Sequence, residues 1–309
     1  MKDLVSIIVP IMNVESYINV CLDSLINQTY KNIEVIIVSD ITNDYTLKIC
    51  KYYAKKDKRI KIVNKVNKAI ENKKNIGIKE AKGKYITFVE GGDKVEPTFI
   101  NDLYHIMVEK DVDIVCLDYY GINEKPTKKI QKVYIYNEEE ILDEYLKMTF
   151  RSNSFGKLFK KQLFKNIEYP EYDVYDDIVT SYKLFHEATK LAYSPIRKYC
   201  LIEEKNNNYN DHDCLKKIKG CLEMLNFMEK NYPKLVNKCK TKICYEAIDL
   251  FKKVNSVRYK KQLYEYIKLY RNYAIKNNEL SFQKKYQVFE TLLGFNAFNI
   301  KTKLMYKGK

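Results

Sequence analysis

"VSIIVPIMNVESYINVCLDSLINQTYKNIEVIIVSD", residues 5–40, carries the pattern that decides the fold. It opens on a short apolar run that Pro10 ends, which suits a strand buried on both faces. Residues 14–30 then place Tyr17, Ile18, Cys21, Leu22, Leu25 and Ile26 on one helical stripe. "IEVIIVSD", 33–40, is a second buried strand. A strand, a helix and a strand in immediate succession make a parallel pair joined by a right-handed crossover.

The alternation continues. A helix is expected over 45–57, a strand over 59–65, and a helix over 69–83 that Gly83 closes as a C-cap. A strand follows over 84–90, then a helix over 97–110 opened by Pro97, and a strand over 112–120. In such sheets ligands bind beyond the carboxyl ends of the strands. Three of those ends carry suggestive residues: Pro10 to Asn13, Ser39-Asp40, and Glu90 to Asp93. From about residue 121 the alternation weakens to a turn, a helix near 177–189 and a short strand. "EEKNNNYNDHD", 203–213, is polar and reads as a linker. Beyond it the pattern is helical over 213–230, 236–255, 258–277 and 282–294. The fold class expected is α/β with a mostly parallel central sheet over 1–205, followed by a basic helical region over 206–309.

Composition narrows the possibilities. The chain has 309 residues, 46% hydrophobic and 31% charged, which is ordinary for a soluble globular protein. Its net charge of +15 is unevenly placed: residues 215–309 hold 22 Lys+Arg against 7 Asp+Glu, and the remainder is balanced. The eight cysteines form no CxxC pair and sit at apolar positions, so buried free thiols are expected rather than disulfides or zinc. His105, His186 and His212 form no metal-ligand spacing. The N-terminal apolar run is too short for a signal peptide or a bilayer span, and no run of 18 apolar residues follows. A cytoplasmic location is the expectation.

With "NIGIKEAKGKYITFVEGGDKVEP" at 75–97, these blocks resemble the bacterial inverting glycosyltransferases of family 2. The resemblance covers residues 3–120 well and 150–200 more loosely. It implies a GT-A fold, a single nucleotide-binding α/β domain. It also implies transfer of a sugar from a nucleotide-sugar, often UDP-linked, to a hydroxyl acceptor in polysaccharide or lipid-linked glycan assembly.

The resemblance assigns roles residue by residue. After the second strand the family reads Val-Asp-Asp-Gly-Ser-Thr-Asp, where this chain has Val38-Ser39-Asp40-Ile41-Thr42-Asn43-Asp44. Asp40 matches the carboxylate that accepts the uracil ring N–H, while Ser39 and Ile41 depart from the pattern. Pro10, Asn13 and Lys74 complete the expected nucleotide-binding set. After the fourth strand the family has Asp-Ser-Asp-Asp, holding Mg²⁺ or Mn²⁺ against the two phosphates. Here the positions are Glu90, Gly91, Gly92 and Asp93: Gly92 stands where the principal ligand belongs, and Asp93 is one residue out of register. Three outcomes stay open. Glu90 and Asp93 jointly hold the divalent cation, or lysines and backbone N–H groups carry the charge without metal, or the chain is a catalytically degenerate homologue that binds a nucleotide, a glycan or a partner.

In the third block Asp176-Asp177 matches the family's acidic pair, which makes Asp177 the general base for the acceptor hydroxyl. Without the resemblance, two acids opening a helix are better explained as caps and dipole complements. The arginine loop of relatives corresponds to 198–210, which has no Arg; Lys198 and Lys205 are the available cations. The basic tail is read as solvated lysines, or as a contact with an anionic membrane surface through 284–309, where bases accompany Phe289, Leu292, Leu293, Phe295, Phe298 and Leu304. Nucleic acid also suits a basic tail, yet no binding motif is present and the first domain is neutral.

Overall fold

The computed structural model describes residues 2–11, 14–40, 45–65, 72–127, 132–171, 176–202 and 211–306. The chain forms two compact units: Met1–Leu142 with Ser152–Asn206, and Asp143–Arg151 with Asn207–Lys309.

The first unit is built on one mixed sheet. Strands β1 (Val5–Ile11), β2 (Ile33–Asp40), β3 (Ile60–Lys65) and β4 (Tyr85–Phe88) run parallel in the order β3-β2-β1-β4. Val5, Ile7, Ile8 and Val9 are fully buried, as a strand covered on both faces requires. Helices α1 (Ile18–Ile26), α2 (Tyr45–Lys56), α3 (Lys73–Glu80) and α4 (Phe99–Glu109) are the crossovers. The order then continues through β8 (Lys157–Lys160), β6 (Ile114–Gly121) and β9 (Lys190–Leu201) to β5 (Lys94–Val95), with β7 (Tyr134–Asn137) also on β9. β6 and β9 are parallel; the short strands β5, β7 and β8 pair antiparallel. Helix α6 (Asp176–Glu187) precedes β9, and α5 (Glu138–Leu146) contains the boundary between the units.

Three local expectations change. Helix α1 is shorter than the stripe over 14–30 suggests, because Gln28 is fully buried just beyond it. Its amide donates to the Ser24 and Glu96 carbonyls at 2.9 and 2.8 Å and accepts from the Ile100 N–H at 3.0 Å. Gly83 is not the cap of α3, which ends at Glu80 with Ala81 extended. A Cβ on Gly83 would lie 2.6 Å from Ser6 Oγ and 2.7 Å from the Leu4 carbonyl, so the glycine lets the chain press against β1. The single helix expected over 282–294 is broken by a turn.

The second unit is helical: α7 (Asp211–Asn231), α8 (Val236–Lys253), α9 (Val257–Lys276), α10 (Phe282–Phe289) and α11 (Phe295–Tyr306). Its core includes Ile218, Met224, Ile243, Phe251, Leu263 and Phe298. A 3-10 turn over Glu290–Leu293 and Gly294, at φ +90°, separate α10 from α11. That φ is costly for any residue with a Cβ. All eight cysteines are buried, and none is in a disulfide. Among the described residues no helix is long and apolar enough to cross a membrane.

Candidate active site

The amino end of α3 begins with four polar residues, Asn72 to Asn75, and all four are buried. Burying polar groups is costly unless each finds partners, and here they do. Asn72 caps α3: its Oδ1 accepts the Lys74 N–H at 2.9 Å. Its Nδ2 donates to Asp176 Oδ2 at 2.8 Å and to the Pro170 carbonyl at 3.0 Å. Asn75 grips the next segment from both sides, donating to the Tyr169 carbonyl and accepting the Tyr169 N–H, each at 2.8 Å.

Between these clamps lies Lys74. Its ammonium is 3.0 Å from Asp176 Oδ1 and 2.8 Å from Asp177 Oδ1, and 4.9 Å from the centre of the Tyr169 ring. Asp177 Oδ2 accepts the Ser154 N–H at 3.0 Å. The two aspartates open α6, where the helix dipole favours negative charge.

The two carboxylates differ in environment. Asp176 has one oxygen on Lys74 and the other on Asn72, and its side chain is 5% exposed. Asp177 is 19% exposed, with Lys74 on one oxygen and the Ser154 N–H on the other. Burial raises the Asp176 carboxyl to about 6, with Asp177 adding to the rise and Lys74 opposing it. At Asp177 burial also raises, but the Lys74 charge and the Lys74 and Ser154 hydrogen bonds outweigh it, so the carboxyl stays below its ordinary range. A pKa near neutrality would favour Asp176 as a base; access favours Asp177. A base must also reach the proton it removes.

The glycine loop after β4 abuts the end of β1. Val89 N–H donates to the Ile8 carbonyl at 3.0 Å and Gly91 N–H to that of Pro10 at 3.4 Å. A Cβ on Gly91 would sit 2.7 Å from Ile11 Cγ2 and 3.2 Å from Val14 Cγ2, both in the core. Only glycine fits there without displacing the loop. Gly91→Ala is expected to destabilise the protein by about 1–3 kcal/mol through overpacking, read as a lower urea midpoint.

Asp93 is 3% exposed. Its Oδ2 accepts the Tyr199 hydroxyl at 2.9 Å and its Oδ1 the Ile202 N–H at 3.0 Å, while the Tyr199 oxygen accepts the Glu90 N–H at 3.0 Å. Asp93 thus ties the loop to the end of β9, which sets it apart from the expectation that it shares a cation with Glu90. Glu90 is half-buried, and its charge helps hold the Lys74 ammonium above its ordinary value. Among the described residues no three carboxylate, histidine or cysteine side chains cluster as a metal site. One carboxylate is nevertheless enough for a magnesium-type ion whose other ligands are substrate phosphates and water.

The sites expected from the sequence therefore divide. Lys74, Asp177 and Glu90 share one electrostatic neighbourhood. Pro10 and Gly91 lie at the adjoining strand ends, and Gly92 is buried beside them in sequence. Asp40 ends β2 opposite Lys65 of β3; its side chain, like the whole of Asn13, falls outside what the structure describes. Lys198 is committed elsewhere, 3.0 Å from Thr98 Oγ1 and 3.5 Å from Asp102, and Lys205 is outside the described residues. Asn72, Asn75, Ser154 and Tyr169 are additions the sequence did not mark.

A model of the family described as "Glycosyl transferase family 2" matches residues 6–182. The chain belongs to glycosyl transferase family 2. The glycosyltransferases GlyA and GlyG of Streptococcus pneumoniae serotype 4 are 31% and 32% identical over 208 and 210 residues, each match covering 62% of this chain. This chain spans 29% of GlyA and 68% of GlyG. Among solved structures, residues 1–349 of TarS from S. aureus, in complex with UDP-GlcNAc, superpose with a TM-score of 0.58 at 15% identity, over 99% of this chain and 92% of that one. At that identity the likeness speaks for the fold, which is of the GT-A type.

Proposed function

We propose that this family 2 chain transfers a sugar from a nucleotide-sugar to a hydroxyl acceptor with inversion. The observation that carries the proposal is the placement of Asp177 on Lys74 at the opening of α6, with Glu90 in electrostatic reach. Asp177 takes the acceptor proton, the freed oxygen attacks the anomeric carbon, and the nucleotide diphosphate leaves from the opposite face. Lys74 keeps Asp177 ionised and fixed; Asn72 and Asn75 fix the segment around it. A divalent cation, Mg²⁺ or Mn²⁺, held by Glu90 and the donor's phosphates would offset the charge that builds on the leaving group.

UDP is the donor base to test first. Asp40 stands where the family's uracil-binding carboxylate stands, and the TarS structure was solved with UDP-GlcNAc. The acceptor is a glycan or a lipid-linked glycan, which would place the work at the cytoplasmic face of the plasma membrane. Gly92 favours a second reading, a degenerate homologue that binds without turnover, since the side chain expected to hold the metal is missing there.

Titration calorimetry with UDP and with GDP, each with and without Mn²⁺, separates the two. UDP binding strengthened by Mn²⁺, and at least about tenfold weaker in Glu90→Ala, is the expected result. Absence of binding in all four titrations overturns the transferase reading in favour of a partner-binding role.

A further inference from the structure

We infer that the turn joining α10 to α11 in the second unit docks on an anionic lipid bilayer. Phe282, Tyr286 and Phe289 recur at helical spacing on α10, and Leu292 and Leu293 follow in the 3-10 turn. All five are exposed, Phe282 by 81% and Leu293 by 66%. The opposite side of the same segment, Val288 and Thr291, is fully buried. The apolar stripe is therefore the outer face of a helix that already has an inner one. This corrects the composition of the interfacial segment expected from the sequence: Phe298 is core, Phe295 packs against Phe251 and Tyr264, and Phe282 and Tyr286 join the surface.

The stripe is held outward. The Thr291 carbonyl accepts the Tyr264 hydroxyl at 2.6 Å and an Arg271 N–H at 3.2 Å. Thr291 Oγ1 donates to the Val288 carbonyl at 2.6 Å. Gly294, at φ +90°, then reverses the chain. With its backbone pinned on both sides of the two leucines, the turn presents them without a rearrangement.

Charge decides what covers it. The stripe lies in a region of 22 bases against 7 acids. Lys284 and Lys285 are on α10 itself; the Lys301 ammonium, 5.4 Å from the centre of the Tyr286 ring, is paired with Glu290 at 2.6 Å. A second copy would set one strongly basic surface against another. Nucleic acid would answer the charge and leave exposed phenylalanine and leucine without a partner. An anionic leaflet answers both, attracting the lysines while its acyl boundary takes the rings. Among the described residues no helix can span the membrane, which leaves interfacial seating. The inference takes from the proposed function only that the acceptor is carried at a membrane.

Flotation of the full chain with phosphatidylcholine vesicles, with and without phosphatidylglycerol, tests it. The wild type is expected to float only with phosphatidylglycerol. The triple variant Phe282→Ser, Phe289→Ser, Leu293→Ser is expected to bind such vesicles about tenfold more weakly or worse, because the apolar contribution is lost. Circular dichroism should be unchanged, since each replaced side chain is exposed. Equal flotation of variant and wild type, or no flotation of the wild type, overturns the inference. So does a wild-type dimer by sedimentation that the triple variant abolishes, which would assign the stripe to a second copy. UDP titration of the triple variant stays at the wild-type value whether or not docking fails, so the two proposals fall separately.

Discussion

Asp177→Asn should lower the rate of sugar transfer by about 10²–10⁴-fold, the range a positioned general base contributes, with little effect on UDP affinity and without loss of the fold. The fold is spared because the change removes one of two charges that share Lys74. Asp176 keeps its contacts with Lys74 and Asn72, and without its charged neighbour it ionises more readily, since Asp177 is one of the causes that raise it. The amide is close to isosteric, but it has one oxygen where Asp177 uses two, so either Lys74 or the Ser154 N–H keeps its acceptor while the other faces the NH₂, a loss of about 1–3 kcal/mol. The measurement is UDP release from the donor in the presence of acceptor, beside a UDP titration of the same variant. A variant that binds UDP normally and keeps more than about a tenth of the wild-type rate would show that another group takes the proton. Asp176→Asn is the instructive contrast. That side chain is almost wholly enclosed, so its replacement should act on stability before it acts on the acceptor.

The parallel half of the fold was legible because buried parallel strands are continuous apolar runs and their crossover helices show one apolar stripe. β1, β2 and β4 are largely such runs, whereas the edge strand β3, Ile-Lys-Ile-Val-Asn-Lys, is mixed; Pro10, Asp40 and Glu90 could be placed at strand ends from the residues alone. The antiparallel pieces were not. β8 is four residues, Lys-Leu-Phe-Lys, and β5 only two, too short for periodicity to distinguish them from turns. The polar run at 72–75 was legible only at Lys74, which was among the expected binding residues. Nothing local says that Asn75 spends its amide on Tyr169 or that Asn72 reaches Asp176. Those partners lie about a hundred residues away and become visible only when the sheet closes. Gly83 was noticed and misassigned: a glycine near a helix end suggests a cap, whereas its role is close approach to Ser6 and Leu4. The glycine at 91 has a steric account in Ile11 and Val14; the loss of a carboxylate at 92 does not have one, and it is why the metal titration matters.

Lys74→Met carries the largest expected effect on stability, about 3–5 kcal/mol at neutral pH, because it leaves two buried carboxylates facing each other with no cation. The size should depend on pH, and the direction follows from the three groups. Burial alone would lower the Lys74 ammonium, but Asp176 and Asp177 raise it well above its ordinary 10.5. Its contribution is therefore complete below about pH 10.5 and is not what changes between pH 5 and 8. Asp177 lies below its ordinary 3.8, so its contribution is present above that value and is lost only in stronger acid. Asp176 works the other way. Raised to about 6, it holds a proton that the unfolded chain has released, so its contribution favours the fold in acid and fades as pH climbs from about 4 through 6. Lys74 is the main force restraining that rise. Without it the pair retains a proton to higher pH, and every further tenfold loss of acidity costs about 1.4 kcal/mol in solutions alkaline enough to ionise the unfolded chain's carboxyl. The variant should thus come closest to the wild type near pH 5, where one carboxyl of the pair is protonated and the repulsion is relieved. It should fall furthest behind near pH 8. Urea denaturation of both proteins at the two pH values measures this; a gap of equal size at pH 5 and pH 8 would mean that Lys74 acts through packing rather than through the charge of the acidic pair.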